Sequence, residues 1–379
     1  MIVFISNFLN HHQVNICNEL AKKDEFYFIA SEPVAKEQLN LGYDDMNNQY
    51  HFVIRMYESE DNKKLAQNIL NEADVAIAGS CAFPFEMLVP RLEKDKLTFW
   101  FSERLFKISW LELFYPPKLK RVLSQCTKYR NNKNFYLLCA GGYVAGDYKW
   151  YNAFKDMAFT WGYFPKSYIK NELQLFSQKQ TSKLKLIWVS RYLKLKRPEW
   201  VVYAAEILRD NNFDFEIDMI GSGILYDKIS KLIKKKHLEQ YVIQKGALPY
   251  KQVREEMDKA NIFLFTSTRR EGWGAVLNES MNSGCAIIAD KAIGGAKSMI
   301  IDGENGLLFS NKKQFKKLLL VLARDRNIMK YIAENAYKSV IEVWSANVAA
   351  DRFYSIATTL LTGKTMPIYE DGPMMLIKG

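Results

Sequence analysis

Short apolar runs of strand length recur along this chain, each followed by a longer stretch of mixed polarity, and this alternation limits the fold more than any other feature. Candidate strands lie at 1–6, 26–30, 51–55, 74–78, 97–102 and 135–140 in the first half, and at 184–190, 215–220, 262–267 and 285–290 in the second. Strands alternating with helices predict parallel α/β sheets, whose ligand crevices lie beyond the carboxyl ends of the strands. At 379 residues the chain is long enough for two such domains, each burying its own core. The polar, turn-rich stretch 165–184 reads as a linker between a first domain at 1–164 and a second at 185–345, followed by a segment at 346–379. No run approaches the ~18–20 apolar residues that span a bilayer. Met1-Ile-Val-Phe-Ile-Ser-Asn reads as a first strand: it lacks the basic start and small-residue cleavage site of a signal peptide. The expected location is the cytoplasm.

The segment richest in chemistry is Glu271-Gly-Trp-Gly-Ala-Val-Leu-Asn-Glu279, followed by Ser280-Met-Asn-Ser-Gly284 and the strand-like 285–290. With an apolar run at 262–267 upstream, it predicts strand, glycine-rich loop, helix, strand, with Glu271 on the loop and Glu279 in the helix. The helix start between them suits a phosphate or diphosphate. Gly272 and Gly274 allow close backbone approach and positive φ. Direct hydrolysis by the two glutamates is disfavoured. A fully helical spacing of eight residues would separate them by about 12 Å, whereas hydrolase pairs lie roughly 5–9.5 Å apart.

Four segments in register resemble family 4 retaining glycosyltransferases, which have the GT-B fold of two Rossmann-like domains facing across a cleft. Glu271 to Glu279, with Asn278 and Met281-Asn-Ser-Gly284, resembles the family's E-x7-E signature. Trp188-Val-Ser190-Arg191-Tyr-Leu-Lys-Leu-Lys196 resembles its G-R-L-x-x-x-K element, with Ser190 in place of the usual glycine. Met219-Ile-Gly221-Ser-Gly223 resembles the strand-ending G-x-G, and Ile301-Asp-Gly303-Glu-Asn305-Gly306-Leu-Leu-Phe309 the D-G-x-N-G-x-L-F loop. The likeness is good over roughly 184–345 and weak over the first half.

The residues support this reading independently. Arg191 and Lys196 follow an apolar strand, where two cations would neutralise a diphosphate, the first as a planar fork and the second as a compact charge. The resemblance implies that Glu279 holds the nucleotide ribose and Glu271 the donor sugar hydroxyls. It also implies that Gly272, Trp273, Gly274, Ala275 and Val276 cradle the sugar and phosphates with their amides, and that Ser190 and Gly221 lie on the donor side. Transfer would retain anomeric configuration by a front-side route in which the leaving phosphate draws the acceptor proton, so no base or nucleophile is assigned. No metal and no cofactor beyond the nucleotide-sugar co-substrate are expected. Gly294-Gly295 is a candidate ligand-side loop. The apolar spacing of 344–361, ending before Gly363, predicts a last helix that, by the resemblance, leaves the nucleotide domain to pack on the first one.

In the first half, the loop after strand 1–6 carries His11 and His12 where the family commonly has a glycine pair. Ser102-Glu103-Arg104 stands where many members have a histidine. His11, His12 and Glu103 are therefore candidates for the acceptor side, and no catalytic histidine is carried over. Five scattered cysteines (17, 81, 126, 139 and 285) without metal-ligand spacing read as reduced core thiols. The net charge of +11, from 53 Lys+Arg against 42 Asp+Glu, favours anionic partners. Residues 107–133 interleave Lys107, Lys118, Lys120, Arg121, Lys128, Arg130 and Lys133 with Trp110, Phe114, Tyr115 and Tyr129. That mixture suits peripheral contact with an anionic membrane or the stacking of bases, and no nucleic-acid module supports the second. The expected partners are a nucleotide-sugar donor and a glycan or glycolipid acceptor, met on the inner face of the membrane. A sugar-nucleotide epimerase on the same fold, a silent glycan-binding scaffold and a basic nucleic-acid-binding protein are the alternatives.

Overall fold

A computed structural model of the chain describes residues 1–34, 44–79 and 85–378. They form two compact units, Met1–Lys166 with Val343–Gly379, and Ser167–Glu342. In the first unit β1 (Ile2–Ser6), β2 (Phe26–Ala30), β3 (Val53–Arg55), β4 (Val75–Gly79), β5 (Thr98–Glu103), β6 (Phe135–Ala140) and β7 (Ala158–Trp161) pair in parallel in the order β7-β6-β5-β4-β1-β2-β3. β1, β4 and β6 are buried along their whole length, as strands covered by helices on both faces must be. The turns are chemically specified. Ser59 caps the helix Glu60–Glu72 through Oγ, 3.0 Å from the Asn62 amide. At its other end the buried Arg91 guanidinium donates to the carbonyls of Leu70 and Ala73 at 2.6 Å and of Leu97 at 2.9 Å.

The last helix, Ala346–Thr362, belongs to this first unit. Phe353 packs its ring 4.9 Å from Phe99 and 5.7 Å from Trp161, and Asp351 pairs with Lys23 at 2.5 Å. The helix stops at Gly363, whose φ of +66° is the left-handed cap expected there. Beyond it, the Met374 amide donates to the Thr160 carbonyl at 2.8 Å, and a C-terminal strand, Leu376–Ile377, pairs antiparallel with β7. The chain end therefore contributes both a helix and an edge strand to the first unit.

The second unit holds β8 (Leu184–Val189), β9 (Phe215–Ile220), β10 (Val242–Gly246), β11 (Ile262–Phe265), β12 (Ala286–Asp290) and β13 (Leu307–Phe309), in the order β10-β9-β8-β11-β12-β13, all parallel. Trp188, Ile217, Leu264 and Ile288 are among the core residues of one face. One expectation is corrected. The stretch 165–184 is not simply a linker: the helix Glu172–Ser177, capped by Asn171 on the Gln174 amide at 3.1 Å, buries Leu175 and Phe176 in the second unit's core. Two buried apolar side chains in a mostly polar stretch suffice to fix it, a pattern too sparse to stand out in the sequence. Cys17, Cys126, Cys139 and Cys285 are buried free thiols; Cys81 lies outside the described residues. Among the described residues no helix is long and apolar enough to cross a membrane.

Candidate active site

In a doubly wound parallel sheet, a crevice opens where successive strands turn from building one side of the sheet to building the other. In the second unit that point lies between β8 and β11: β9 and β10 extend the sheet on one side, β12 and β13 on the other. Lys196 follows β8, Glu271 follows β11, and their side chains form an ion pair at this switch point. Ser267 Oγ donates to the same carboxylate at 3.1 Å.

The loops that present the pair are stitched together. Thr266 Oγ1 donates to the Lys196 carbonyl at 2.7 Å and accepts from Trp188 Nε1 at 3.1 Å. The Thr268 amide donates to the Leu195 carbonyl at 2.8 Å. Arg197, in left-handed backbone at φ +50°, donates to the Thr266 and Ser267 carbonyls at 2.5 and 2.9 Å and to Asp290 at 2.5 Å. Its guanidinium also lies 4.5 Å from the centre of the Trp200 ring. Two glycines are required by sterics. Gly274 has φ +81°, and a Cβ there would meet the Phe265 ring; Gly221 has φ +135°, and a Cβ would meet the Ser190 carbonyl.

The other expected residues are placed as follows. Arg191 is exposed and makes no ion pair among the described residues. Ser190 is half-buried, its amide donating to the Ile220 carbonyl at 3.0 Å. Gly272 and Gly274 lie in the loop, and Ala275 precedes the helix Val276–Asn282. The Trp273 indole is buried and donates to Asn278 at 2.9 Å, so the ring serves the core. Gly294 and Gly295, expected in a ligand-side loop, are buried and begin the helix Gly294–Met299 that follows β12.

Glu279 sits apart from the ion pair, buried in the short helix. Burial pushes its carboxyl up to about 7, while Arg254 pulls it down. Arg254, from the helix Tyr250–Lys259, is itself buried. Its Nη2 donates to Asn282 Oδ1 at 2.6 Å, and its Nε and Nη1 have no hydrogen-bond partner among the described residues. Glu279 and Asn282 are three apart on one helix and so share a face, which brings the guanidinium toward the carboxyl. The Tyr250 hydroxyl is raised by burial and by Glu279. Sequence reasoning missed Arg254, Arg197, Asp290 and Ser267. Arg197 adjoins Lys196 in a Lys-Leu-Lys-Arg run, where nothing in the sequence separates the half-buried cations from the exposed Lys194.

The first unit has its own switch point, between β1 and β4. His11 and His12 lie in the loop after β1 with ring centres 3.7 Å apart, and Tyr163, just after β7, lies 5.9 Å from His12. Tyr163 donates its hydroxyl to Glu103, at the end of β5, at 3.1 Å, and Lys107 donates to the same carboxylate at 2.6 Å. The structure thus joins His12, Tyr163 and Glu103 into one cluster. Burial, then the neighbouring His11, lowers His12 to about 3, and its buried Nδ1 has no partner among the described residues. Among the described residues no group of three or more His, Cys, Asp and Glu is placed to hold a metal ion.

Comparison with known proteins decides the lineage of the second unit. A model of the family described as "Glycosyl transferases group 1" matches residues 170–339. These residues belong to that family. Its curated relatives include an uncharacterized glycosyltransferase of Methanocaldococcus jannaschii, 33% identical over 126 residues, which are 33% of this chain and 35% of that protein. A poly(glycerol-phosphate) alpha-glucosyltransferase of Bacillus subtilis is 27% identical over 160 residues, 42% of this chain and 23% of that protein. In both cases the match spans about a third or less of the relative's length. Among solved structures, Anabaena HepE in complex with UDP superposes with a TM-score of 0.68 at 15% identity, covering 95% of this chain and 99% of that one. WaaG, a glycosyltransferase involved in lipopolysaccharide biosynthesis, gives 0.61 at 14% identity, covering 96% and 100%. Likenesses at such identity speak to fold, and the fold is GT-B. The group 1 family model covers the β8–β13 sheet and leaves the first unit unmatched.

Proposed function

We propose that the chain is a retaining glycosyltransferase that moves a hexose-type sugar from a nucleoside-diphosphate sugar to a hydroxyl of a glycan or glycolipid. The observation that carries this reading is the Lys196–Glu271 pair at the β8/β11 switch point. A sugar and its diphosphate are covalently joined, so the group that meets the phosphate and the group that meets the sugar must be neighbours. A cation paired with a carboxylate meets that demand. On binding, Lys196 exchanges its carboxylate partner for phosphate oxygens, with Arg191 as the second cation, and Glu271 turns to sugar hydroxyls. Glu279 takes the ribose.

As the bond from C1 to the leaving oxygen breaks, charge accumulates on the diphosphate, where the two cations stabilise it. The acceptor hydroxyl attacks from the same face and passes its proton to that oxygen. The proposal assigns charge neutralisation to Arg191 and Lys196 and needs no bound metal. Relatives named for poly(glycerol-phosphate) and for a diphospho-undecaprenol acceptor, the latter from Campylobacter jejuni and 33% identical over 118 residues (30% of this chain, 31% of that protein), support a cell-surface acceptor carried on lipid or polymer. The same reading puts its place of work on the inner face of the membrane.

The test is thermal stabilisation by a panel of nucleotide-sugars, since a ligand that binds only the folded state raises its melting point by mass action. A responding donor is then incubated with acceptor hydroxyls and the product's anomeric configuration read by NMR. Stabilisation by no nucleoside diphosphate or nucleotide-sugar overturns the reading. Conversion of a donor to its epimer without acceptor assigns the epimerase instead.

A further inference from the structure

Ile108, Leu111, Phe114 and Tyr115 are 64%, 58%, 64% and 58% exposed, four large apolar side chains within eight residues. Folded chains seldom leave such a group in water without use for it. The residues are held in position. Trp110–Phe114 is a 3₁₀ helix, in which side chains three apart eclipse one another, so Leu111 and Phe114 share one edge, flanked in the chain by Ile108 and Tyr115. A capping box fixes its start: Ser109 Oγ accepts from the Leu111 amide at 3.2 Å, and Glu112 accepts from the Ser109 amide at 3.1 Å. Lys118 pairs with the same Glu112 and donates to the Leu105 carbonyl at 2.6 Å. Beneath, Leu113 and Leu119 pack on the first unit's core and Val122 is buried in it. The outward residues are therefore presented by a seated base.

Positive charge follows this edge along the chain. Lys120, Arg121, Lys128, Arg130 and Lys133 are exposed. None of the five makes an ion pair among the described residues, whereas Lys107 and Lys118 are taken up by Glu103 and Glu112. Glu112 is the only acidic residue from 107 to 133. An apolar edge followed within the next eighteen residues by five exposed cations that make no ion pair complements a surface that is anionic outside and apolar beneath. A second copy of the chain would set like charges face to face, and a soluble polyanion would leave the apolar edge in water.

We propose that this face docks the first unit on an anionic lipid bilayer. Leu111, Phe114 and their two neighbours enter the boundary between headgroups and acyl chains, and the cations lie over acidic headgroups. The inference deepens the reading of a membrane-side acceptor by naming the surface that meets the membrane.

The experiment is co-sedimentation of the full chain with phosphatidylcholine vesicles, with and without phosphatidylglycerol. The wild type binds the anionic vesicles and loses binding as salt rises. Leu111→Asp/Phe114→Asp lowers vesicle binding by about 10-fold or more, the loss expected from withholding two buried apolar side chains. Lys120→Glu/Arg121→Glu removes the preference for anionic over neutral vesicles. All three proteins keep the same circular dichroism and the same melting temperature. Equal binding to neutral vesicles, or binding unchanged in both variants, overturns the proposal. So does a dimer that Leu111→Asp/Phe114→Asp dissolves, or binding to heparin or RNA that it leaves intact while vesicles are ignored. Vesicle binding requires no nucleotide, so its failure and the failure of the glycosyltransferase reading are separate results.

Discussion

The two switch points of this molecule solve different problems. Between β8 and β11 the side chains are ionic: Lys196 with Glu271, and Arg197 with Asp290, both tied to backbone carbonyls or hydroxyls of the facing loops. After β1 they are mostly aromatic: two adjacent histidines with tilted rings, one of them lowered to about 3, and a tyrosine hydroxyl on Glu103, whose charge is met by Lys107. A phosphate needs positive charge and close-approaching backbone wherever it is bound, which restricts the residues that will serve. A neutral hydroxyl acceptor is met by many arrangements of donors and acceptors. On the proposed division of donor and acceptor, this contrast accounts for the concentration of motif-like residues in the second unit, where the family model matches.

The largest effect separating the two units should come from the chain end. Truncation after Trp344 removes Phe353, Ile356 and the C-terminal strand from the first unit only. Each large side chain contributes about 1.5–3 kcal/mol by burial, so the first unit should lose several kcal/mol and unfold or aggregate while the second still melts cooperatively. Limited proteolysis and calorimetry check this, and a stable, fully active 1–344 chain would break the comparison.

Next in size are the cations. Lys196→Ala and Arg191→Ala should each lower turnover by on the order of 10²–10³-fold, as when one charge-stabilising donor is lost, with little change in melting. Steady-state kinetics with the responding donor decide it; near-normal turnover in both would remove the diphosphate role. The glutamates then divide the donor. Glu279→Gln should weaken nucleoside diphosphate and nucleotide-sugar alike, by roughly 10–100-fold for a charged hydrogen bond, whereas Glu271→Gln should impair mainly the sugar-bearing donor. Calorimetric titration of each variant with both ligands measures the split, and equal losses would erase it.

The smallest effect is the most diagnostic, because the two units should respond to acid in opposite directions. His12 is held near 3 in the fold against an ordinary 6.5, so the unfolded chain binds the extra proton and the first unit loses about 2 kcal/mol between pH 7 and 5. Glu279 is held near 7 against 4.5, so the folded state binds the extra proton and the second unit gains about 2 kcal/mol between pH 7.5 and 5. His12→Gln and Glu279→Gln should each flatten one slope in pH-dependent melting. Parallel slopes in the two units, or slopes that survive the substitutions, would refute the assigned burial.

Much of the second unit was legible in the sequence because its signals are local. The glycines at 221 and 274 and the strand-loop-helix order around Glu271 each depend on a few adjacent residues, as does the left-handed stop at Gly363 in the first unit. What was not legible depends on distant ones. Leu175 and Phe176 make a core helix of a stretch that reads as linker, because their burial is against Gly284. Trp273 reads as part of a ligand loop, yet its indole finds Asn278 in the core. Arg254 has no motif at all; only the packing of one helix on another brings it to the face of Glu279.

The sequence by itself determined two parallel α/β sheets, the strands β1–β6, β8, β9, β11 and β12, and the segments that carry carboxylates and cations, since periodicity and turn chemistry act over a few residues; the short strands β7, β10 and β13 carried too few apolar residues to stand out. Only the tertiary structure decided that Lys196 and Glu271, 75 residues apart, share one ion pair, that His12, Tyr163 and Glu103 form a cluster, and that residues 346–377 complete the first sheet and its helical cover. Strand order settles which loops meet at a switch point, and it follows from how whole helices bury their apolar faces, a property of the assembled sheet and of no single segment.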